Sequence, residues 1–179
     1  MTALSHTRRR AFLIGGIMVV LALILDQATK TFLIPRLPGP PGGVDVTPFF
    51  RLVAWWNRGV SFGFLSSSEG WMSYALSALA ALVLIGLVLW LGRSERPLLA
   101  VAQGLVIGGA IGNVVDRLRF GAVFDFLYFH AGAYDFPAFN VADSAITVGV
   151  ALLLFDGLFG GGNRAKTSDK ARFEDTARE

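Results

Sequence analysis

Asp125 and Asp143 are the side chains in this sequence best placed to do chemistry. Asp125 stands in "AVFDFLYF" and Asp143 in "FNVADSAITVG", each a carboxylate set into an apolar run. Two carboxylates in a half-buried, low-dielectric site cannot both ionise cheaply, because burial and mutual repulsion each disfavour the second charge. Such a pair shares one proton. The ionised member can take a proton from water, and the protonated member can donate to a carbonyl oxygen or a leaving amine. This is aspartic-protease chemistry, and it needs no cysteine, histidine or metal. A plainer account exists for Asp143. Asn140 can cap a helix there, and an acid in a first helical turn is favoured by the helix dipole. A solvated-face account of Asp125 is poor, because its neighbours on both sides are apolar.

Other polar residues cluster in three further stretches. "LDQATK" places Asp26 and Lys30 four apart on one helix face, either as an i,i+4 ion pair or as support for a nearby site. Lys30 is also the only lysine outside the C-terminal tail, so a Ser-Lys dyad would have to use it, with Ser61 as the nearest serine candidate. In "WWNRGVSFGF" the tryptophans suit a membrane interface, and Asn57 is the residue an aromatic belt leaves unexplained. In "GLVIGGAIGNVVDRLRF", Gly104, Gly108 and Gly112 recur every four residues, a smooth stripe for close helix packing. The stripe runs on to Asp116, with Asn113 one turn back, so the packing face becomes polar. Asp116 beside Arg117 reads equally as a structural ion pair.

Composition narrows the chemistry. The 179-residue chain is 54% hydrophobic and 16% charged, which is wrong for a soluble domain and points to the membrane. A net charge of +3 without a basic, aromatic-interleaved stripe gives no reason to expect nucleic acid. The absence of cysteine excludes disulfides, thiol nucleophiles and Cys-ligated zinc. With only His6 and His130, a histidine triad or histidine metal site is a weak reading, so neither metal nor cofactor is expected.

Four apolar runs approach the roughly 20 residues a spanning helix needs. They cover about 11–34, 71–91, 98–116 and 141–159, the third opening after Pro97, a good first-turn residue. The first run carries no small-x-small cleavage site and is kept as a span rather than a signal peptide. "PFFRLVAW" between the first two runs reads as a strand. Residues 1–160 are expected to form one domain, and the polar tail 161–179 to be disordered. With both termini inside, ten of the sixteen basic residues fall on inner segments, as the positive-inside rule asks. Asp26, Asp116 and Asp143 then lie near the outer interface, with Asp125 on the loop between spans three and four. Asp156 falls at the inner end, as an interfacial residue.

These motifs resemble the lipoprotein signal peptidases of bacteria, also called signal peptidase II. "DQATK" at 26–30, "NRGVSFG" at 57–63, "GNVVDRLRFGAVFDF" at 112–126 and "FNVADSAITVG" at 139–149 occur in the family's order, and the resemblance covers residues 10–160. It implies an all-α membrane protein of four transmembrane helices, with a small periplasmic β-sheet between helices 1 and 2 (residues 44–56) and a short periplasmic helix near Ser61–Glu69. It implies an aspartic endopeptidase of the bacterial inner membrane, both termini cytoplasmic and the site near the periplasmic face. The substrate would be a prolipoprotein, cut just before its diacylglyceryl-modified cysteine. By motif match Asp125 and Asp143 would be catalytic. Asn57, Asn113, Arg117 and Asn140 would line the pocket or bind substrate, with Gly59 in the same machinery, and Asp26, Lys30 and Asp116 would hold the site together. Beyond substrate and membrane lipids no partner is expected, and nothing demands more than a monomer. The alternatives are an ion- or proton-coupled transporter, a Ser-Lys peptidase around Lys30, and a purely structural membrane protein. The transporter would need polar residues through the full depth of the bilayer, whereas span two offers only Ser77.

Overall fold

Close packing around a glycine-lined helix organises the molecule, a computed structural model describing residues 6–40, 42–59 and 71–159. Four helices form in chain order, α1 (His6–Leu33), α2 (Trp71–Leu91), α3 (Pro97–Phe120) and α4 (Val141–Phe159). Helix α3 starts with Pro97 in its first turn, where the missing N–H costs nothing. It stops at Gly121, whose left-handed φ of 71° lets its N–H return to the Arg117 carbonyl.

Helix α3 is the central element, and α1 and α4 approach it where it has no side chains. A Cβ on Gly108 would meet the Val19 carbonyl oxygen of α1 at 2.6 Å, and one on Gly104 would collide with the Gly15 carbonyl. On α3's other side, a Cβ on Gly109 would collide with the Ala142 carbonyl of α4. The glycine stripe therefore packs as its spacing predicts, with Gly109 adding a second face toward α4. Helix α2 joins through Leu91, which forms a small apolar core with Ala11, Ala100 and Ile107.

The remaining helix surface is apolar and exposed. Ile17, Ile24 and Leu25 of α1, Leu82 and Leu89 of α2, and Leu154 and Leu158 of α4 all face outward. That surface suits lipid and is unfavourable in water. Among the described residues α1, α3 and α4 are each long and apolar enough to cross a membrane, and α2 is apolar over its shorter stretch Ala75–Leu91. The protein is thus a membrane protein with apolar spans and a small antiparallel sheet.

That sheet departs from expectation. It has four strands in the order β1 (Gly43–Thr47), β2 (Phe50–Asn57), β3 (Val123–Ala131) and β4 (Tyr134–Asp135). Only β1 and β2 come from between α1 and α2; β3 and β4 come from between α3 and α4, where a loop was expected. Pairing of β2 with β3 sets Trp55 opposite Asp125 and Asn57 opposite Val123, after an irregularity between Leu52 and Trp55. The sheet seats on the end of the bundle where α1 and α3 finish and α4 begins. Ala54, Phe124 and Phe126 are buried there against Leu33, Ile34, Leu37 and Val141. Trp56 packs its ring on Phe120 and Phe124, tying β2 to the end of α3. The expected helix near Ser61–Glu69, Ser61 itself and the tail 161–179 lie outside the described residues.

At the opposite end of the bundle Arg96 donates to Asp156 at 2.6 Å. Asp156, expected as an interfacial residue, is buried and paired there. Its partner supplies the charge compensation that burial requires.

Candidate active site

The site is built in two layers at the sheet end of the bundle. The deeper layer centres on Lys30, only 2% exposed. Its ammonium contacts Asp26 at 2.9 Å and Asp116 at 2.7 Å, and donates to the Asn113 side-chain oxygen at 3.3 Å. An ammonium has three donors, and all three are used. The ion pair of Asp116 with its neighbour Arg117, one of two readings of the sequence, is not among the salt bridges of the described residues. Asp116 faces α1 instead, and also accepts from the Phe124 backbone N–H at 3.1 Å, which fixes the start of β3. Arg117 donates to the Asn113 carbonyl and lies in electrostatic reach of Asp143, Asp125 and Asp116. Asp26 accepts from the Ala142 N–H at 3.0 Å, so a residue of α1 satisfies an otherwise unpaired first-turn donor of α4.

Gln27 belongs to this layer and was not among the residues singled out from the sequence. Its amide donates to Asp26 at 3.1 Å and to Asp116 at 3.0 Å, bridging two like charges that Lys30 also bridges. The available signal was its place inside "DQATK", a polar break in an apolar helix.

The upper layer holds Asp125 and Asp143. Asp125 lies on β3, not on a loop, and is 1% exposed. A strand backbone paired on one side with β2 fixes it more tightly than a loop would. It accepts from the Asn140 amide at 2.7 Å and from the Asn57 amide at 3.0 Å. Asn57 in turn accepts from the Gly59 N–H at 2.9 Å. Gly59 has φ of 118°, a conformation open to glycine and strained for other residues. Gly59 thereby orients the Asn57 amide toward Asp125.

Asp143 sits in the first turn of α4, and the expected cap is present. The Asn140 side-chain oxygen accepts from the Asp143 N–H at 3.0 Å, and Asp143 accepts from the Asn140 N–H at 3.1 Å. This reciprocal pair is a capping box. The cap and the catalytic readings are therefore not rivals. Asn140 uses its oxygen to cap α4 and its amide nitrogen to hold Asp125, so one residue fixes both carboxylates. Asp143 also accepts from the Asn113 amide at 2.8 Å.

The electrostatics follow from this placement. Burial first, and the nearby Asp143 carboxylate second, push the Asp125 carboxyl up from 3.8 to about 7; hydrogen bonds from Asn57 and Asn140 oppose the rise. One carboxyl at this site therefore keeps a proton near neutral pH, which is the condition for a shared-proton pair. Among the described residues no cluster of His, Cys, Asp and Glu could hold a metal ion.

The chain is also similar to known proteins. The family model described as signal peptidase (SPase) II matches residues 18–159. A lipoprotein signal peptidase of Rhodopseudomonas palustris is 43% identical over 152 residues, 82% of this chain and 93% of its own. One from Azoarcus sp. is 51% identical over 133 residues, 73% of this chain and 74% of its own. A solved bacterial membrane enzyme superposes with a TM-score of 0.72 at 30% identity, covering 83% of this chain and 90% of that one. These relatives lend no support to the transporter alternative.

Proposed function

The chain belongs to the signal peptidase II family, and on that premise we propose that it is an aspartic endopeptidase that removes signal peptides from prolipoproteins. The bond cut is the one just before the diacylglyceryl-modified cysteine. The observation that carries the catalytic type is Asn140, which holds Asp125 by its amide and Asp143 by its cap while Asp125 keeps a proton to about pH 7. Asn57, Gly59, Asn113 and Arg117 line or orient the reacting centre. Asp26, Lys30 and Asp116 brace it from below.

The reaction follows from one shared proton. The ionised carboxylate takes a proton from water as the water oxygen bonds to the scissile carbonyl carbon. The protonated carboxyl donates to the carbonyl oxygen. The tetrahedral intermediate then breaks at its C–N bond: the carboxyl that took the water's proton gives it to the leaving amine of the lipidated cysteine, and the other carboxylate takes its proton back from the hydroxyl as the new carboxyl forms. A Ser-Lys mechanism fits poorly, because all three donors of the Lys30 ammonium are taken by Asp26, Asp116 and Asn113.

Four transmembrane helices with both termini cytoplasmic would put the sheet and the dyad at the periplasmic face of the inner membrane, within one domain spanning residues 1–160. A substrate whose leader is embedded and whose next residue carries a lipid presents its scissile bond only at that level. A monomer surrounded by membrane lipids suffices for this reading. The test is cleavage by purified protein in detergent of a diacylglyceryl-modified prolipoprotein beside the same precursor with unmodified cysteine. The proposal expects only the lipidated precursor to be cut, at the bond before its cysteine. No cleavage of a fully lipidated precursor, or equal cleavage of both, would overturn it.

A further inference from the structure

The carboxylates of the pair are held by unlike neighbours. Asp125 is buried on a strand and accepts from the amides of Asn57 and Asn140, both neutral. Asp143 is half-buried, stands in the first turn of α4 where the helix dipole favours an anion, and accepts from the Asn113 amide at 2.8 Å. The orientation of that amide is not free. A side-chain amide has an oxygen end and a nitrogen end of similar shape, and its neighbours decide which points where. Lys30 can only donate, so Asn113 must turn its oxygen to Lys30, at 3.3 Å. Asn140 donates to the same oxygen at 3.2 Å. The Asn113 nitrogen is then aimed at Asp143, with a buried cation polarising it from behind.

We propose that Lys30 is a positioning residue that, through the Asn113 amide, makes Asp143 the ionised, water-activating member of the pair and leaves the shared proton on Asp125. The inference rests on the dyad reading above. In the hydrolytic step, Asp143 takes the proton of the attacking water, and Asp125 gives its proton to the carbonyl oxygen. A chain of N–H groups thus carries the influence of a lysine that never meets substrate. Other charges face the pair as well. Asp125 reaches Asp143 from β3, and Arg117 reaches both carboxylates from α3. Lys30 also acts directly on Asp125, as the smallest of the influences on that carboxyl. Asp26 and Asp116 neutralise Lys30 from α1 and α3. Of these charges, only Lys30 hydrogen-bonds to the Asn113 oxygen, which it shares with the neutral Asn140 amide.

The test compares Asp116→Asn with Lys30→Met/Asp116→Asn. Each is followed by kcat and KM against pH on the lipidated precursor in detergent. The proposal expects the double variant to lose roughly tenfold to hundredfold in kcat relative to Asp116→Asn, the scale of one charge-assisted hydrogen bond. KM should change little, and the acid limb of kcat should move up by about one pH unit as the base becomes easier to protonate. An acid limb shared by both variants, with only thermal stability lost, would make Lys30 a structural brace and overturn the inference. If the double variant does not fold, Asn113→Leu leaves Lys30 with both carboxylates yet removes the donor. It must then show the same upward shift, and an unshifted acid limb overturns the inference as surely. Asp125→Asn and Asp143→Asn serve as references. If either still cleaves, the dyad reading itself has failed; if both are inactive and the limb is unmoved, only the role of Lys30 has.

Discussion

A carboxyl that keeps its proton to about pH 7 has two measurable consequences. The first is kinetic. The pair works with one proton, so cleavage should fall as pH rises past about 7, when Asp125 loses its acid form. The second is thermodynamic. Folding raises the Asp125 value from 3.8 to about 7, so between these limits the folded chain holds a proton that the unfolded chain has released. Stability from this residue is therefore complete below 3.8 and is lost as pH rises through about 7. Thermal unfolding of wild type and Asp125→Asn across that range should show a pH-dependent loss in wild type that the variant lacks. Parallel curves would contradict the burial argument. Asp143 was legible in "FNVADSAITVG" because a cap and a carboxylate are both written in residue types. The partner of Asp116 was not legible, because its neighbour in sequence is Arg117 while its neighbour in space is Lys30 of another helix.

At the scale of elements, the glycines of α3 decide whether the carboxylates meet at all. A Cβ at Gly109 would collide with the Ala142 carbonyl, one residue from Asp143, whereas a Cβ at Gly16 meets nothing within 4 Å. Gly109→Val should therefore destabilise by about 1–3 kcal/mol and disturb the seat of α4. Gly16→Val should leave cleavage near wild type. Thermal unfolding and cleavage rate measured together check both, and equal effects of the two changes would refute the packing account. The spacing of Gly104, Gly108 and Gly112 made this face readable, since four-residue periodicity is a local pattern. Strand β3 was not readable. Its apolar residues at 122–129 suit a buried strand, but nothing local says that its partner is β2, far back in the chain. Strand pairing is a long-range property, so half the sheet was expected as a loop. The consequence matters for the site, because Asp125 gains the rigidity of a paired strand.

The whole molecule is a bundle with one polar, sheet-covered end and an apolar girth, and the proposed orientation faces the sheet outward. The sequence has no cysteine, so single cysteines can report that orientation without background. Tyr134→Cys, at the exposed far end of the sheet, should react with an impermeant maleimide added outside the inner membrane. Arg93→Cys, in the turn after α2, should react only after the membrane is opened. The reverse pattern would invert the topology. The apolar helices were legible from length and apolarity alone, and among the described residues α1, α3 and α4 reach the length that bilayer thickness sets, whereas α2 is apolar over a shorter stretch. Motif order made the family legible, whereas Gln27 drew no notice because a lone amide carries no signature of the two carboxylates it bridges. The central claim is that Asp125 and Asp143 act as a catalytic pair. The most direct measurement is single-turnover cleavage of the lipidated precursor by wild type, Asp125→Asn and Asp143→Asn, with folding verified by thermal unfolding. Each folded variant is predicted to lose on the order of 10²–10⁴ in rate, the scale of acid–base catalysis. A folded variant that cleaves within a few fold of wild type would contradict the claim.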